Sequence, residues 1–534
     1  MIQDDGKVLE LQLHLDETVA LVGVYDLDVP KGIATVYGAV LHPGVATQRV
    51  YAPSTHALPL ITSRKDGTCI RITSVASRIH ALAQLSPLYR NIWTTDPRER
   101  SFTTLTTSAD DPLQRALSTI EIDKDAQVVV ARLAISSTPS NTPLRVMAVG
   151  AKSAGKSTFN RLLFNTIVTK QTIGRCQYLD LDPGQPEFGP PGQISLVEIS
   201  APVLGPPFSH PASATSTTSR LIRSHTIAAT SFRDDTSHYL ACVRELLRHV
   251  DGRQPLIVNS CGWVSGAGAS VLATLASLMQ LTDMVVMDPL EQSLVDSLTT
   301  NGRNTRITVH RIARQAPRPS SRTPAESRAM QTMAYFHHKP RASSPRQEIW
   351  NSTALSSHRP WVVSYASSAT GVHAIASYGQ PPDSEFFHEV LDGAVVALVA
   401  VEDETAYPVL RTTDGVPYIS TSAIGIAQTL EPDTSECLGL ALIRAIDTDT
   451  QTLQLVTPLS EASIARLMAR KIILVRGAFD PPGWAYTEDL YHAGGRLGDS
   501  DINARPWVAR AAAVGIEGKV WRLRHPPLAV RSGG

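Results

Sequence analysis

The segment Leu144–Ser157, LRVMAVGAKSAGKS, carries the strongest structural signal in the chain. An apolar run typical of a buried strand leads into a glycine-rich turn, and a helical stretch begins at Lys156. The turn fits the pattern G-x-x-x-x-G-K-[ST], in which backbone N–H groups and a helix N-terminus face a phosphate. The segment therefore predicts a strand, a phosphate-binding loop and a helix. The alternative is a glycine-rich turn that binds nothing.

The residues of this loop suit ATP and Mg²⁺. Gly150 and Gly155 allow the backbone to wrap around a phosphate. Lys156 then brings a positive charge to the β- and γ-phosphates, and the hydroxyl of Ser157 can coordinate Mg²⁺. The predicted ATP-binding residues are nine consecutive positions: Gly150, Ala151, Lys152, Ser153, Ala154, Gly155, Lys156, Ser157 and Thr158.

Strands and helices continue to alternate after this unit. Helical stretches at 236–250 and 267–281 lie among the strand-like runs CQYLDLD, PLIVNS, MVVMD and TRITVHR. Such alternation predicts an α/β fold whose central sheet is parallel, of the P-loop NTPase type, with helices on both faces. We assign residues 144–345 to this domain, which also includes a basic lid.

Both flanking regions contain short β-prone runs broken by Gly, Pro and Asp. Residues 1–143 alternate with a period of two and predict a β-rich N-terminal domain, an antiparallel sandwich or barrel. We include the run QVVVARLAI, at 127–135, among its strands. Residues 346–534 follow a Ser/Pro-rich link and predict a mixed, β-rich C-terminal domain.

Composition and charge exclude several protein classes. Lys and Arg total 49 against 49 Asp and Glu, so a histone-like polycation is excluded and any nucleic-acid site must be local. The five cysteines form no C-x-x-C pair, which argues against a zinc ribbon or a disulfide scaffold. The polar N-terminus and the shortness of the longest apolar run, Ala394–Val401, predict a soluble intracellular protein with no membrane segment.

The segment Tyr178–Gln193, YLDLDPGQPEFGPPGQ, gives the second signal. Asp180 and Asp182 share one face of the predicted strand. At the carboxyl end of a strand beside a phosphate loop, a carboxylate either holds Mg²⁺ or accepts the proton of an attacking hydroxyl. Because Pro183-Gly184 ends the strand, Asp182 lies where open α/β sheets bind ligands, and we predict it as the base. A turn-initiating aspartate is the alternative.

Two further features are weaker. Trp263, in the segment IVNSCGWVSGAG, could stack on a nucleobase, although packing in the core is the commoner fate of a lone tryptophan. Between Arg303 and Arg328 there are seven arginines and one acid, Glu326. This stripe could clamp a phosphoryl group or follow a polynucleotide backbone, and its alternative is a solvated loop face.

Together these segments resemble the polynucleotide 5′-hydroxyl kinases of ribosomal-RNA processing, the nucleolar relatives of the cleavage-factor kinase of messenger and transfer RNA maturation. The resemblance rests on GAKSAGKS, LDLDPGQPEF with PPGQISL, RDDTSHYLACVREL, PLIVNSCGWVSG and AYFHH, and the flanking VYGAVLHPG and KIILVRGAFDPP also fit. It covers most of the chain. The combination of DLDPGQPEF with PPGQ is its specific part, since unrelated NTPases share the loop alone.

The resemblance implies a role for each matching residue at the reaction centre. Lys156 and Ser157 match the pair that binds phosphate and Mg²⁺. Asp182 matches the catalytic carboxylate that activates the RNA 5′-hydroxyl, and Gln185 matches a glutamine near the metal and phosphate. Arg328 falls where a lid arginine approaches the transferred phosphate.

Other matching positions concern the substrate. Thr230 and Ser231 fall at a clasp that secures the nucleotide or the phosphate acceptor. Trp263 matches a tryptophan that packs against the terminal bases of the RNA. Arg322 is a second, weaker candidate for the lid arginine.

The resemblance also implies a reaction and its setting. The reaction is ATP-dependent phosphorylation of the 5′-hydroxyl end of RNA during processing of the second internal transcribed spacer of precursor ribosomal RNA. ATP and Mg²⁺ are the implied cofactors, a Las-type HEPN endonuclease is the implied partner, and the location is the nucleus and nucleolus. Two alternatives remain open: an ATP-binding scaffold of an RNA-processing complex without kinase turnover, and an NTPase that uses water as the acceptor.

Overall fold

The structure is a computed structural model of the chain. The residues it describes are 3–96, 99–137, 143–170, 174–214, 216–300, 307–315, 321–339, 349–366, 371–380, 382–402, 407–420, 428–468 and 470–497. Across these ranges every helix is too short or too polar to cross a bilayer. Three large sheets follow one another along the chain.

The N-terminal region forms a nine-stranded sheet in which all pairs are antiparallel. Its strands are β1 (Gln3–Asp4), β2 (Val8–Leu13), β3 (Thr18–Lys31), β4 (Ala34–Val36), β5 (Ala39–Leu41), β6 (Gln48–Ala52), β7 (Leu60–Ser63), β8 (Thr68–Ser74) and β9 (Phe102–Leu105). The long strand β3 pairs with β6, β7, β8 and β9 and holds the sheet together. The predicted β-rich character of this region is confirmed.

The predicted strand at 127–135 is wrong, because these residues lie in helix α1 (Lys124–Ser136). The carboxylate of Asp123 caps the helix by accepting a hydrogen bond from the Asp125 N–H at 3.0 Å. The buried side chains recur at helical spacing and pack with helix α2 (Lys156–Val168): Ala126, Val129, Val130, Leu133 and Ala134. The helical period and the cap therefore outweigh the β-branched composition of the run.

The central region contains the second sheet and three more helices. Its strands are β10 (Arg145–Val149), β11 (Cys176–Asp180), β12 (Gln193–Ile199), β13 (Ser219–Thr226), β14 (Leu256–Asn259), β15 (Asp283–Asp288) and β16 (Thr308–Ala313). The helices are α3 (Thr236–Arg248), α4 (Ala267–Leu278) and α5 (Gln292–Thr299). The strand order is β13-β12-β11-β14-β10-β15-β16, with parallel pairing from β11 to β16 and antiparallel pairing at the β12 and β13 edge.

Helices cover both faces of the central sheet. Successive side chains of a strand point to opposite faces. In β10, Val146 and Ala148 pack in the cluster that contains α1 and α2, whereas Met147 and Val149 pack in the cluster that contains α3, α4 and α5. Burial on both faces explains the continuous apolar sequence of this strand. The predicted α/β class, with a parallel core and covered faces, is confirmed.

Helix α6 (Pro324–His337) leads from the central sheet to the C-terminal region, whose remaining helices are α7 (Phe387–Leu391), α8 (Glu461–Met468) and α9 (Gly483–Leu497). A short pair, β17 (His338–Lys339) and β18 (Ile349–Trp350), follows α6. The third sheet is mixed and has eight strands: β19 (Trp361–Ser364), β20 (Val372–Ser377), β21 (Val395–Val401), β22 (Val409–Arg411), β23 (Pro417–Ile419), β24 (Ser435–Asp447), β25 (Thr452–Val456) and β26 (Lys471–Arg476).

Helix α6 contacts all three parts of the chain. On the N-terminal side, the Tyr89 hydroxyl donates a hydrogen bond to the Met330 carbonyl at 2.6 Å. On the central side, the buried Gln331 amide donates to two carbonyl oxygens, those of positions 186 and 189, at 2.7 Å each. On the C-terminal side, the Tyr335 oxygen accepts the backbone N–H of Leu440 at 3.0 Å. The position of α6 therefore depends on the whole assembly.

Candidate active site

Three loops meet at the carboxyl edge of the central sheet. They follow β10, β14 and β11, which lie side by side. The loop after β10 is the phosphate loop, the loop after β11 carries Asp182, and the loop after β14 runs through Trp263. Open α/β sheets bind their ligands at this edge.

The backbone of the phosphate loop suits an anion. Ser153 and Gly155 adopt left-handed conformations, with φ of 62° and 104°. Among the described residues no side chain caps the first turn of α2, which begins directly after Gly155 and includes the half-buried Ser157 and Thr158. The first N–H groups of α2 are thus left for a ligand. This combination of a concave loop and an uncapped helix fits the phosphates of ATP.

Lys156 lies inside the phosphate loop. Its side chain is largely buried, and its amine donates hydrogen bonds to the carbonyl oxygens of Gly150 at 2.9 Å and Ala151 at 3.1 Å. Burial lowers the pKa of this amine, and the carboxylate of Asp182 opposes that shift. A phosphate oxygen would replace the loop carbonyls as the acceptor. In the absence of a phosphate, the Lys156 amine is therefore held by the loop carbonyls, close enough to Asp182 for the two charges to interact.

Asp182 lies two residues beyond the end of β11, in a tight turn rather than in the strand. Its Oδ1 accepts hydrogen bonds from the backbone N–H groups of Gly184 at 2.9 Å and Gln185 at 3.2 Å. Burial raises the pKa of the Asp182 carboxyl, while these two bonds and the charges of Lys156 and Lys152 lower it in part. The alternative of a turn-initiating aspartate is therefore present, and the turn places the Asp182 carboxylate beside the phosphate loop.

Asp180, the last residue of β11, has a different environment from Asp182. Its side chain is fully buried, and its carboxylate accepts hydrogen bonds from the Glu187 N–H at 2.6 Å and the Asn259 amide at 2.8 Å. Burial raises its pKa to about 7, against the effect of these two bonds. Asp180 therefore organises the loop that carries Asp182 rather than facing a ligand.

A cavity of about 420 Å³, here called the Asp182 cavity, opens at this edge. The predicted site residues that line it are Lys152, Asp182, Gln185, Thr230, Ser231, Trp263 and Arg328. Arg233 also lines it, so three cationic side chains face one carboxylate. A cavity with this balance of charge suits a polyanionic ligand.

The other predicted site residues lie outside the lining of the Asp182 cavity. These are Gly150, Ala151, Ser153, Ala154, Gly155, Lys156, Ser157 and Thr158 of the phosphate loop. Arg322, the second lid candidate, points elsewhere, because its Nη2 donates a hydrogen bond to the Leu88 carbonyl at 2.8 Å. Of the two lid candidates, only Arg328 lines the cavity.

Trp263 lies between the core and the cavity. One part of its indole packs so closely on Gly268 that a Cβ added there would lie 2.2 Å from the indole Cγ. The Phe232 ring lies 5.9 Å away, and the guanidinium of Arg233 lies 5.1 Å from the ring centroid. The side chain thus packs against the core and also forms part of the cavity wall.

The chain is similar to known proteins over this site and beyond it. A family model described as "mRNA cleavage and polyadenylation factor CLP1 P-loop" matches residues 150–338. Polynucleotide 5′-hydroxyl-kinase GRC3 of Gibberella zeae is 35% identical over 536 residues, which cover 93% of this chain and 73% of that protein. Polynucleotide 5′-hydroxyl-kinase grc3 of Aspergillus oryzae is 33% identical over 577 residues, which cover 92% and 68%. The chain belongs to the polynucleotide 5′-hydroxyl-kinase family.

Solved structures share the fold of this 5′-hydroxyl-kinase family member. A chain of the wild-type Clp1p–Pcf11p complex aligns with a TM-score of 0.52 at 16% identity, covering 89% of this chain and 99% of its own length. At that identity the likeness concerns the fold alone. The family expected from the motifs is confirmed, and so is the fold class.

Three polar or charged side chains at the site of this kinase-family chain were not predicted. Arg233 follows the clasp in TSFRDD, so its charge beside Ser231 was a usable signal. Cys261 lines the cavity, and burial raises its pKa to about 11, which keeps the thiol neutral. Asp480 pairs with Arg328 from the C-terminal region, and its neighbours in FDPP give no sign of this contact.

The loop that carries Asp182 is anchored at its far end by Glu187. The Glu187 Oε1 accepts hydrogen bonds from Arg161 Nε at 3.0 Å and Nη2 at 2.6 Å, and it lies 3.1 Å from His210 Nε2. Burial acts to raise the pKa of Glu187, but the Arg161 charge and the His210 bond hold it below its ordinary value. Because Arg161 belongs to α2, the pair fixes the Asp182 loop to the helix of the phosphate loop.

Replacing Arg161 with alanine should destabilise the fold by about 3–5 kcal/mol, because Glu187 would remain as a buried charge without its cation. Urea unfolding measures the loss. Since the pKa of Glu187 is lowered by folding, the loss should be complete above the ordinary carboxyl pKa and shrink as the pH falls through the lowered value. The control is Arg311→Ala, whose half-exposed pair with Asp288 is worth about 0–1 kcal/mol. Equal losses from both variants would contradict the anchor.

Proposed function

We propose that this chain transfers the γ-phosphoryl group of ATP to the 5′-hydroxyl end of RNA. The observation that carries the proposal is the meeting of Asp182 and the phosphate loop at one sheet edge, where Asp182 and Lys152 of the loop line the same cavity. In-line transfer to a hydroxyl requires a base beside an anion-binding loop. Membership of the 5′-hydroxyl-kinase family supports the same reaction.

The residues of the chain divide the work of this reaction. Asp182 accepts the 5′-hydroxyl proton as that oxygen bonds to the γ-phosphorus and the bond from phosphorus to the β,γ-bridging oxygen breaks, which releases ADP. Burial raises the pKa of Asp182 and makes its carboxylate a stronger base. Lys156 and Arg328 balance charge on the phosphoryl oxygens. Mg²⁺, which adds positive charge at the phosphates, would be held by the Ser157 hydroxyl and the Gln185 amide oxygen.

The Asp182 cavity supports a polynucleotide as the acceptor. Thr230 and Ser231 line it as a clasp, and their hydroxyls offer hydrogen bonds to a sugar or a phosphate. Lys152 and Arg233 add positive charge at the wall, where the first phosphates of a strand would lie. Trp263 offers an aromatic surface to the terminal base.

We further propose a biological setting for the reaction. The acceptor is the 5′-hydroxyl end of precursor ribosomal RNA cut in the second internal transcribed spacer. A Las-type HEPN endonuclease would generate that end and act as the partner, and the location would be the nucleus and nucleolus. Support comes from the resemblance of DLDPGQPEF with PPGQ to the ribosomal-RNA kinases.

An assay with the full chain and labelled ATP tests the proposal. We expect label on a 5′-hydroxyl oligoribonucleotide, with a matched DNA and a no-acceptor reaction as comparisons. Release of labelled phosphate that does not depend on RNA would instead support a plain NTPase. ATP binding without transfer or release would support the scaffold alternative. Adding the endonuclease shows whether transfer depends on the partner.

Replacing Trp263 with alanine should weaken binding of RNA about tenfold and leave ATP binding nearly unchanged, because base stacking is worth about 1–3 kcal/mol. Fluorescence titrations with a 5′-hydroxyl oligonucleotide and with ATP give both affinities. The control is Trp361→Ala, on the exposed strand β19 far along the chain. An equal loss for both ligands would identify Trp263 as a core residue only.

A further inference from the structure

The arginine at the wall of the Asp182 cavity is held by a residue of the C-terminal region. Arg328 Nε donates a hydrogen bond to Asp480 Oδ2 at 2.5 Å, and Arg328 Nη2 donates to Oδ1 at 3.3 Å. The two residues are 152 positions apart in the chain. Arg328 is mostly buried, whereas the Asp480 side chain is 41% exposed. The pair therefore joins the third sheet region to the proposed reaction centre.

The geometry of the pair leaves part of the guanidinium available. A guanidinium has donors on Nε and on both terminal nitrogens. The carboxylate engages Nε and Nη2, and no hydrogen bond to Nη1 is found within the described ranges. Arg328 lines the Asp182 cavity, and Asp480 does not. Asp480 thus binds the Nε and Nη2 edge of the guanidinium, which leaves Nη1 available for an oxyanion in the cavity.

The backbone around Asp480 is itself fixed against the clasp. Ala478 forms a parallel β-bridge with Ala229, directly before Thr230. A Cβ added to Gly192 would lie 2.5 Å from the Phe479 ring, so this ring packs on the PPGQ turn. Both contacts fall within two residues of Asp480, and they place its carboxylate at the rim of the site.

The helix that carries Arg328 is fixed at its other end as well. His337 Nε2 lies 2.7 Å from Glu488 Oε1, and both side chains are fully buried. The other Glu488 oxygen accepts the Leu355 N–H at 2.7 Å. With the helix held at His337 and the guanidinium held at Asp480, little freedom remains for the Arg328 side chain.

We propose that Asp480 is a positioning residue that orients Arg328 toward the transferred phosphoryl group, so that the C-terminal region completes the phosphoryl-transfer site. The inference rests on the proposed function. A long arginine side chain has many rotamers, and a bidentate partner removes that freedom before the substrate arrives. The ordering of Arg328 by Asp480 should therefore increase the rate of phosphoryl transfer and not the stability of the fold, because a partly exposed ion pair adds little to folding stability.

The test is Asp480→Asn in the full chain, assayed for transfer to a 5′-hydroxyl oligoribonucleotide. We expect kcat to fall about tenfold with the KM values for ATP and RNA within about twofold of wild type, as for an interaction made in the transition state. The melting temperature should stay close to that of wild type. Asp480→Glu, which keeps a carboxylate, should recover part of the rate. The control is Asp433→Asn, which removes an exposed pair with Arg248 in the same region.

The same substitution in a variant that lacks the Arg328 guanidinium distinguishes positioning of Arg328 from other roles of Asp480. In Arg328→Ala, the further change Asp480→Asn should have no added effect on kcat, because the group to be oriented is gone. An equal tenfold loss of kcat in that background would overturn the proposal. An unchanged kcat from Asp480→Asn alone would also overturn it, and so would a higher kcat, which would show that Asp480 slows the reaction. If wild type itself transfers no phosphate, the proposed function has failed rather than this inference.

Discussion

Replacing Lys156 with alanine is expected to reduce phosphoryl transfer to RNA by at least about 1,000-fold, since it removes the buried lysine charge of the phosphate loop. The amine now donates to the carbonyl oxygens of Gly150 and Ala151, and these bonds show that it reaches the floor of the loop. No water molecule can replace a fixed cation there. Single-turnover transfer of labelled phosphate to a 5′-hydroxyl oligonucleotide measures the loss.

Two further variants serve as controls for Lys156→Ala. Lys156→Met keeps the stem of the side chain and should lose the rate equally without opening the loop. Lys124→Ala, on the exposed surface of α1, should behave as wild type. A melting temperature near that of wild type would show that the variants fold. Near-normal transfer by Lys156→Met would contradict the assigned role of the amine.

Asp182→Asn is expected to lose about 100- to 10,000-fold in transfer rate while it still binds ATP, because the amide cannot accept the hydroxyl proton. The amide oxygen keeps an acceptor for the Gly184 and Gln185 N–H groups, so the turn should survive. Burial raises the pKa of Asp182. The wild-type rate should therefore rise with pH as this carboxyl loses its proton, and the variant should lack that rise.

The matched control is Asp251→Asn, which changes an aspartate that caps a similar turn outside the cavity by accepting the Arg253 N–H at 3.0 Å. It should leave transfer and ATP binding unchanged. A wild-type rate from Asp182→Asn would remove this residue as the base. Loss of ATP binding together with transfer would instead identify Asp182 as part of the nucleotide site.

Local sequence predicted the parts of the site that lie within one turn of a strand end. The phosphate loop and the Asp182 turn each follow an apolar strand, and glycine or proline marks where the strand stops. The parallel order of the strands then brings the loops together. For α1 the local sequence is misleading, because Val128, Val129 and Val130 resemble a strand, whereas the Asp123 cap is the signal that indicates a helix.

Contacts between distant segments were beyond reach of the sequence. The pairing of Arg328 with Asp480 spans 152 positions and depends on how the third sheet packs on the second. The same is true of Arg322, whose charge suggested a lid but whose guanidinium binds a carbonyl of the N-terminal region. Charge identifies a candidate arginine, whereas tertiary packing decides which one reaches the cavity. The roles of the site residues stay predictions for the assays above.

Helix α6 is held by contacts with all three parts of the chain. A shortened chain is therefore expected to lose the correct position of this helix. A fragment that stops after α6 would retain its phosphate loop, yet Tyr335 and His337 would lose the backbone and the carboxylate that hold them. Helix α6 would then be free to move together with Arg328. The wall of the Asp182 cavity that Arg328 forms would no longer be fixed. Any attempt to carve out a minimal catalyst from this chain must therefore carry the C-terminal sheet along.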